Sequence, residues 1–306
     1  MKLKTLPLFF SLLILALTSC KKDEETVFEN NTIPDYNEVP TILVQNYVNR
    51  LFIDLIGREP VDVEMDNEVG YLEENDLSEA ARQTLVDKLM YDETFLAGDS
   101  SYNFAYFQRI YDSAKARMID GASENIILES YNLAFGQAYS DSVNGNFTSY
   151  EINKTVYEKL RAVLDSKEEL RTQEITIDEM FRRLINNSIY DQINMNSFNF
   201  VNASFDDLFY RYPTASEFDN AYQIIDANQA GLLFGQVAQN KAEYVQILTT
   251  TTEYHEGMIN WAYLSLLSRE PSSNEVFTVI GDFQNDLTFS AVQRSILIKD
   301  EYAGFN

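Results

Sequence analysis

One seventeen-residue pattern, written three times, constrains this chain more than any other feature. The copies are V-N-R-L-F-I-D-L-I-G-R-E-P-V-D-V-E at 48–64, V-N-A-S-F-D-D-L-F-Y-R-Y-P-T-A-S-E at 201–217 and I-N-W-A-Y-L-S-L-L-S-R-E-P-S-S-N-E at 259–275. Four apolar positions recur ahead of Pro60, Pro213 and Pro271. Position −12 holds Val48, Val201 and Ile259, and −8 holds Phe52, Phe205 and Tyr263. Position −5 holds Leu55, Leu208 and Leu266, and −4 holds Ile56, Phe209 and Leu267. These offsets trace one face of a helix. The proline disfavours helical backbone in the residue before it and suits the start of the next helix. The pattern therefore predicts helix, corner, helix. Thr214 with Glu217, and Ser272 with Glu275, have capping-box spacing. Val61 takes the cap position in the first copy, so a less crisp helix start is expected there.

Three polar positions recur as well. Asn49, Asn202 and Asn260 stand at −11, Arg58, Arg211 and Arg269 at −2, and Glu64, Glu217 and Glu275 at +4. In one reading each arginine spans the corner to its glutamate and to carbonyls at the end of the first helix. In the other, arginine and asparagine together hold a ligand. The first is preferred, because structural ion pairs are common and a binding site rarely recurs intact in every copy.

Each copy closes alike. Leu89, Leu248 and Ile296 precede Phe95, Tyr254 and Tyr302 by six residues, with Glu93, Glu253 and Glu301 just before the aromatic and Gly98, Gly257 and Gly304 just after it. The distance from proline to aromatic is 35, 41 and 31 residues, so loops vary while the frame holds. The expected class is all-α, built from helical repeat units with a helical insert. The units span 41–98, 196–257 and 258–306, and the insert 99–195. A single unit buries its apolar face poorly, whereas stacked units bury it well.

The segment Phe52-Ile53-Asp54-Leu55-Ile56-Gly57-Arg58-Glu59-Pro60 resembles the R-x-x-L-D-L-x-G-R-x-P-T-x-x-E signature in the N-terminal domain of planctomycete cytochrome-associated proteins. The frame also resembles an R-x-P helical repeat of secreted bacterial proteins, which is similar to phycobilisome linker domains. These resemblances cover about 70 residues at the front and about 110 at the back. They imply a helical fold and no particular activity. The haem attachment often found in the cytochrome-associated proteins is not implied, since C-x-x-C-H does not occur in this chain.

The insert should hold four helices: Tyr102–Ile119, with Tyr102, Tyr106, Ile110 and Ala114 at fours; Glu124–Tyr139; a third capped by Thr148 with Glu151 and running to about 170; and Ile177–Ile193, capped by Thr176 with Glu179 and turning Met180, Leu184 and Ile185 inward. Asn144-Gly145 breaks the second from the third. Few strands are expected. The β-favouring run Thr249–Thr252 lies at a helix end.

Lys and Arg number 23 against 48 Asp and Glu, a formal charge of −25. Nucleic acid and anionic lipid surfaces are disfavoured partners for such a chain. The acids are spread along the sequence, as on solvated helix faces. One cysteine and one histidine leave no zinc spacing and no internal disulfide.

The lone cysteine is informative for another reason. Lys2 and Lys4 precede an apolar run, Leu6–Leu17, and then Leu17-Thr18-Ser19-Cys20. The run has signal-peptide length, and the sequence at Cys20 resembles the lipobox of bacterial lipoproteins. That implies a signal peptide at 1–19, cleavage, and acylation of Cys20 at the start of a tether spanning 20–40. Removing the signal takes away two lysines and leaves −27. Lys21-Lys22-Asp23-Glu24-Glu25 resembles the surface-export signal of Bacteroidota lipoproteins and equally suits an ordinary charged tether.

Catalytic motifs are sparse. His255 in E-Y-H-E-G is the acid–base candidate, but a structural place near the last carbonyls of its helix is preferred. Asp141–Glu151 loosely suggests a calcium loop, which Val143 and Gly145 spoil by standing where oxygen ligands are needed. No catalytic residue, metal ligand or cofactor is assigned. Among the aromatics, Tyr102, Tyr106, Tyr131 and Tyr139 are candidates to line a sugar or peptide groove, although helical spacing places most such rings in the core. The expected function is a non-enzymatic binding or assembly component of the outer membrane, lipid-anchored, outward-facing and working with an envelope protein partner. The alternatives are a glycan- or peptide-capture subunit of an uptake system, and an enzyme of unknown type.

Overall fold

In a computed structural model, residues 39–96 and 99–305 are described. Cys20, the signal segment, the tether up to residue 38 and Gly98 lie outside them. The described residues form fifteen α-helices and one two-stranded hairpin, so the chain is all-α. The helices are α1 (Thr41–Leu51), α2 (Asp62–Glu74), α3 (Glu79–Tyr91), α4 (Tyr102–Met118), α5 (Glu124–Val143), α6 (Phe147–Arg171), α7 (Ile177–Ile185), α8 (Ser188–Asn194), α9 (Ser197–Phe209), α10 (Ala215–Ala227), α11 (Lys241–Leu248), α12 (Thr252–Leu267), α13 (Ser273–Asp286), α14 (Phe289–Leu297) and α15 (Asp300–Ala303). The predicted stripe is buried almost throughout, from Val48, Phe52 and Leu55 to Ile259, Tyr263 and Leu266.

All three corners fall on the prolines. Three residues before each proline the backbone turns left-handed: Gly57 at φ 84°, Tyr210 at 58° and Ser268 at 55°. This is the usual way to end a helix, and glycine does it at least cost. In the first copy α1 ends in a wider turn, Phe52–Ile56, whose hydrogen bonds span five residues, and Gly57 N–H closes onto the Phe52 carbonyl at 2.9 Å.

The front of the chain packs on its back. Tyr47 donates to the Leu297 carbonyl at 3.1 Å and Arg50 to the Tyr302 carbonyl at 3.0 Å. Tyr302 donates to Asp54 at 2.7 Å, and Arg82 meets Asp300 at 2.6 Å. On the other side α9 crosses α12. The third copy therefore lies between the first and the second, against the order of the sequence. At the crossing, a Cβ on Gly257 would stand 2.0 Å from the Leu208 carbonyl oxygen. Only glycine lets the backbones meet that closely.

Several boundaries differ from those predicted. Helix α12 runs unbroken through 257/258, so Gly257 marks a crossing and not an end. Tyr254 and Tyr302 are buried but sit at the third position of the following helix, and Phe95 is 73% exposed in a loop. The aromatic thus starts the next helix instead of stopping the last, and it fails in the first copy. The predicted helix 177–193 divides at Asn187. That side chain donates to the Arg183 and Leu184 carbonyls at 2.9 and 2.8 Å and accepts from the Ile189 and Tyr190 amides at 2.9 and 3.2 Å. One amide closes α7 and opens α8, an outcome Asn favours by competing for backbone groups. Helix α5 extends to Val143, and α6 starts at Phe147 with Asn146 at its cap position, so Thr148 caps nothing. Thr176 bonds Asp178 in place of a backbone amide. The antiparallel hairpin Gly231–Leu233 with Gln236–Ala238 was not anticipated. Phe234 and Gly235, both at positive φ, give the tight turn that joins such strands.

Gly257→Ala should destabilise the protein by about 2–3 kcal/mol, the cost of overpacking a close crossing. Ser268→Gly, at an exposed left-handed position, should stabilise it by about 0.5–1 kcal/mol. Urea unfolding midpoints of the two variants should move in opposite directions.

Candidate functional site

The recurring polar residues come together as three clamps. Arg58 donates two parallel bonds to Glu64 at 2.7 and 2.8 Å, Arg211 to Glu217 at 2.9 and 2.8 Å, and Arg269 to Glu275 at 3.0 and 2.8 Å. Each arginine also donates to the carbonyl of the residue after it, in Glu59, Tyr212 and Glu270, at 3.0, 3.1 and 3.0 Å. Each glutamate reaches back to the amide at the cap of its own helix, Val61, Thr214 or Ser272, at 2.8, 2.7 and 2.8 Å. The Thr214 and Ser272 hydroxyls complete capping boxes. Val61 has no acceptor, so the first copy keeps only the glutamate half.

A second carboxylate holds the far edge of each guanidinium. Glu253 takes Arg211 and Glu301 takes Arg269, with Nη2 contacts of 2.9 and 2.7 Å. In the first copy the corresponding Glu93 does not reach Arg58. Asp99 does, at 2.9 Å, after a longer loop. The carbonyl each arginine takes belongs to the corner and not, as expected, to the end of the first helix, so each arginine ties together the corner, the amide end of the next helix and an acid at or near the opening of another. The asparagines take no common part. Among the described residues Asn49 makes no side-chain bond and the buried Asn260 oxygen has no partner, while Asn202 donates within its own helix to the Phe198 carbonyl. The Arg–Asn ligand pair is not formed.

The clamps set the acid response. Partial burial pulls the Glu64 carboxyl upward, yet hydrogen bonds from Arg58, Tyr102 and the Val61 amide outweigh it and hold the group at about 2. Arg211 holds Glu217 at about 2, and Arg269 holds Glu275 well below the ordinary range. Folded values below unfolded ones mean stability present above the unfolded carboxylate range and lost as pH falls through the folded values.

His255 is 7% exposed, in the first turn of α12 and not near its last carbonyls. A helix start disfavours a cation. Burial pushes the imidazole pKa down, Asp178 opposes this, and Nδ1 has no partner among the described residues. The edge of Phe283 packs on it, ring centroids 5.5 Å apart. It is a neutral core residue.

Two recesses meet behind α4. One, of about 80 Å³, is lined by Asp54, Arg109, Trp261 and Gln293, the other, of about 340 Å³, by Phe107, Gln173, Thr176, Asp286 and Thr288. Tyr106, Ile110 and Phe289 line both. Tyr106, from the predicted aromatic stripe, is buried and donates to Gln293 at 2.6 Å. Tyr102 is buried on Glu64 at 2.7 Å and lines neither recess. The larger volume falls at the small end of the range for ligand sites. Polar and apolar groups alternate around it, and no nucleophile–base pair faces it. Among the described residues, no three His, Cys, Asp or Glu side chains group as metal ligands, and no helix is long and apolar enough to cross a membrane.

The feature that sequence patterning missed is the outer side of the hairpin of α5 and α6. Ile127, Ala134, Ala138 and Asp141 face α6, and α6 is the one extensive neighbour of α5. Tyr139, Val143, Phe147 and Ile152 around the bend are 61–69% exposed, and Leu133 and Phe135 are exposed beside them. Tyr131 and Tyr157 pack against Phe135 from the two helices. Solvated helices normally place polar residues there. The signal in the sequence was the apolar excess of α5, which has more large apolar residues than one helix contact can cover.

No family model, curated protein or solved structure matches this chain.

Glu217→Gln should cost about 1 kcal/mol at pH 7, after discounting for solvent screening of a partly exposed pair. Unfolding free energies of the wild type and this variant should converge between about pH 4.5 and pH 2, where the wild-type carboxylate takes up its proton.

Proposed function

We propose that the chain is an envelope lipoprotein, held at the outer membrane by acyl chains on Cys20 and facing outward, that serves as a non-enzymatic assembly or binding component. The observation that carries this reading is the uncovered apolar bend of the α5–α6 hairpin, set on a folded base braced by three arginine clamps. Apolar groups of that size in water are the usual mark of a surface awaiting a partner. The lipobox-like Leu17-Thr18-Ser19-Cys20 supports the anchor, and more than one acyl chain gives stable attachment. The charge of −25 supports a protein partner over nucleic acid.

A second reading, capture of a small glycan or peptide, draws on the recess lined by Tyr106, Gln173, Asp286 and Phe289. It is subordinate, because the recess falls at the small end of the range for ligand sites and the Tyr106 hydroxyl in it is already bonded to Gln293.

Cys20→Ser should abolish incorporation of labelled palmitate and release the protein from the membrane fraction. Retained label would overturn the anchor. Affinity isolation of the full chain from cells should recover a stable envelope protein that is lost with Tyr139→Ser/Val143→Ser. Recovery of the same protein with both forms would place the contact elsewhere.

A further inference from the structure

We propose that the bend of the α5–α6 hairpin docks a partner segment that is apolar on one face and flanked by lysine or arginine. This deepens the assembly reading above and rests on it. The apolar part follows from Tyr139, Val143, Phe147 and Ile152, which lie around the bend where two helices meet and are left 61–69% exposed by the described residues. Phe135, Tyr139 and Val143, four residues apart, share one exposed line of α5 that leads to the bend, the kind of surface on which an amphipathic helix lays its own apolar face.

The charge part follows from an asymmetry in the sequence. Between Arg117 and Lys154 there is no basic residue, while Asp120, Glu124, Glu129, Asp141 and Glu151 are all acidic. Glu124 is held by Lys167 at 2.7 Å, and Asp141 accepts from Asn153 at 2.9 Å. Asp120, Glu129 and Glu151 are left exposed without a partner among the described residues. Of the bases further along α6, Lys159 donates to Asn186 at 2.8 Å and Arg161 to Asp165 at 2.7 Å, while Lys154 stands between Glu151 and Glu158, 3.8 Å from the latter, and the Glu158 and Glu151 carboxylates raise its pKa. The bend thus has a net acidic margin among the described residues, in which Glu129, Asp141, Glu151 and Glu158 outnumber the one nearby free base, Lys154. Complementary charge steers such encounters and rejects like-charged partners.

The same asymmetry weighs against other occupants. A second copy would set acid against acid on a molecule already at −25. The chain's own segment 20–38 carries six acids against two lysines and is repelled in the same way. An anionic bilayer is repelled too.

The full-length protein is titrated into two fluorescent amphipathic helical peptides, one of leucine and lysine, the other of leucine and glutamate, with anisotropy as the readout. The lysine peptide should bind and the glutamate peptide should not. Tyr139→Ser/Val143→Ser/Phe147→Ser should weaken binding about tenfold or more. Glu129→Lys/Glu151→Lys, which leaves the apolar side chains intact, should weaken it severalfold and reduce its salt dependence. These side chains are exposed, and unchanged circular dichroism verifies the fold.

Equal binding by the variants, or equal affinity for the glutamate peptide, overturns the proposal. So does co-sedimentation with phosphatidylcholine vesicles, or self-association in sedimentation velocity, when the apolar variant abolishes it. A photoreactive residue at position 139 in cells separates this proposal from the broader reading. A crosslinked envelope protein with an acidic contact segment sinks the cationic partner and leaves the assembly role standing. No crosslinked protein at all sinks the assembly role.

Discussion

The fold depends on a planar cation held on two edges. A guanidinium offers five donors in a fixed fork, and a carboxylate matches two of them at once. At each R-x-P corner one fork spans the glutamate of the next helix, a further acid and a main-chain carbonyl. The helix before the corner ends in a left-handed residue, and the helix after it starts on an amide that the same glutamate caps. Proline stands one residue before each cap, where its fixed φ narrows the directions from which the chain can enter the next helix. Three chain directions are thereby fixed by one side chain, three times over, at sites that are only partly buried. Partial exposure matters. Fully buried ion pairs rarely recover their desolvation cost, and half-buried, multiply bonded ones fare better.

The distribution of those clamps explains how a 306-residue chain with a long insert keeps one arrangement. Tyr47, Arg50 and Arg82 join the front of the chain to its last turn, and Gly257 lets α9 and α12 meet backbone to backbone. The third corner sits between the other two, and the first and last helices of the described residues pack together. The hairpin of α5 and α6 stands outside this bracing. Its inner side is held by small residues such as Ala134 and Ala138, and its outer side retains the apolar groups on which the docking proposal rests.

What was legible in the sequence was local. The apolar stripe, the proline corner, the capping boxes of Thr214 and Ser272 and the Arg–Glu reach all span fewer than twenty residues, and their spacing dictates their geometry. What was not legible depended on distance along the chain or on competition. Asp99 displaces Glu93 at Arg58 because a longer loop delivers it there, which no spacing rule foresees. Asn187 divides a helix that its apolar period would have continued. His255 appeared to close a unit because the segment 252–267 was divided at the glycine, when in fact it opens a helix. The hairpin of three-residue strands at 231–238 is too short to show alternation. The apolar bend was invisible because burial depends on which neighbours are present, and a helical period alone does not count them.

The central claim is that each corner arginine holds two acids at once, and double-mutant cycles test it most directly. Arg211 paired with Glu217, and Arg211 paired with Glu253, should each show a coupling energy of about 1 kcal/mol or more in urea unfolding. Arg58 should couple with Asp99 and not with Glu93. Coupling energies near zero for Arg211, or a Glu93 coupling as large as that of Asp99, would contradict the account.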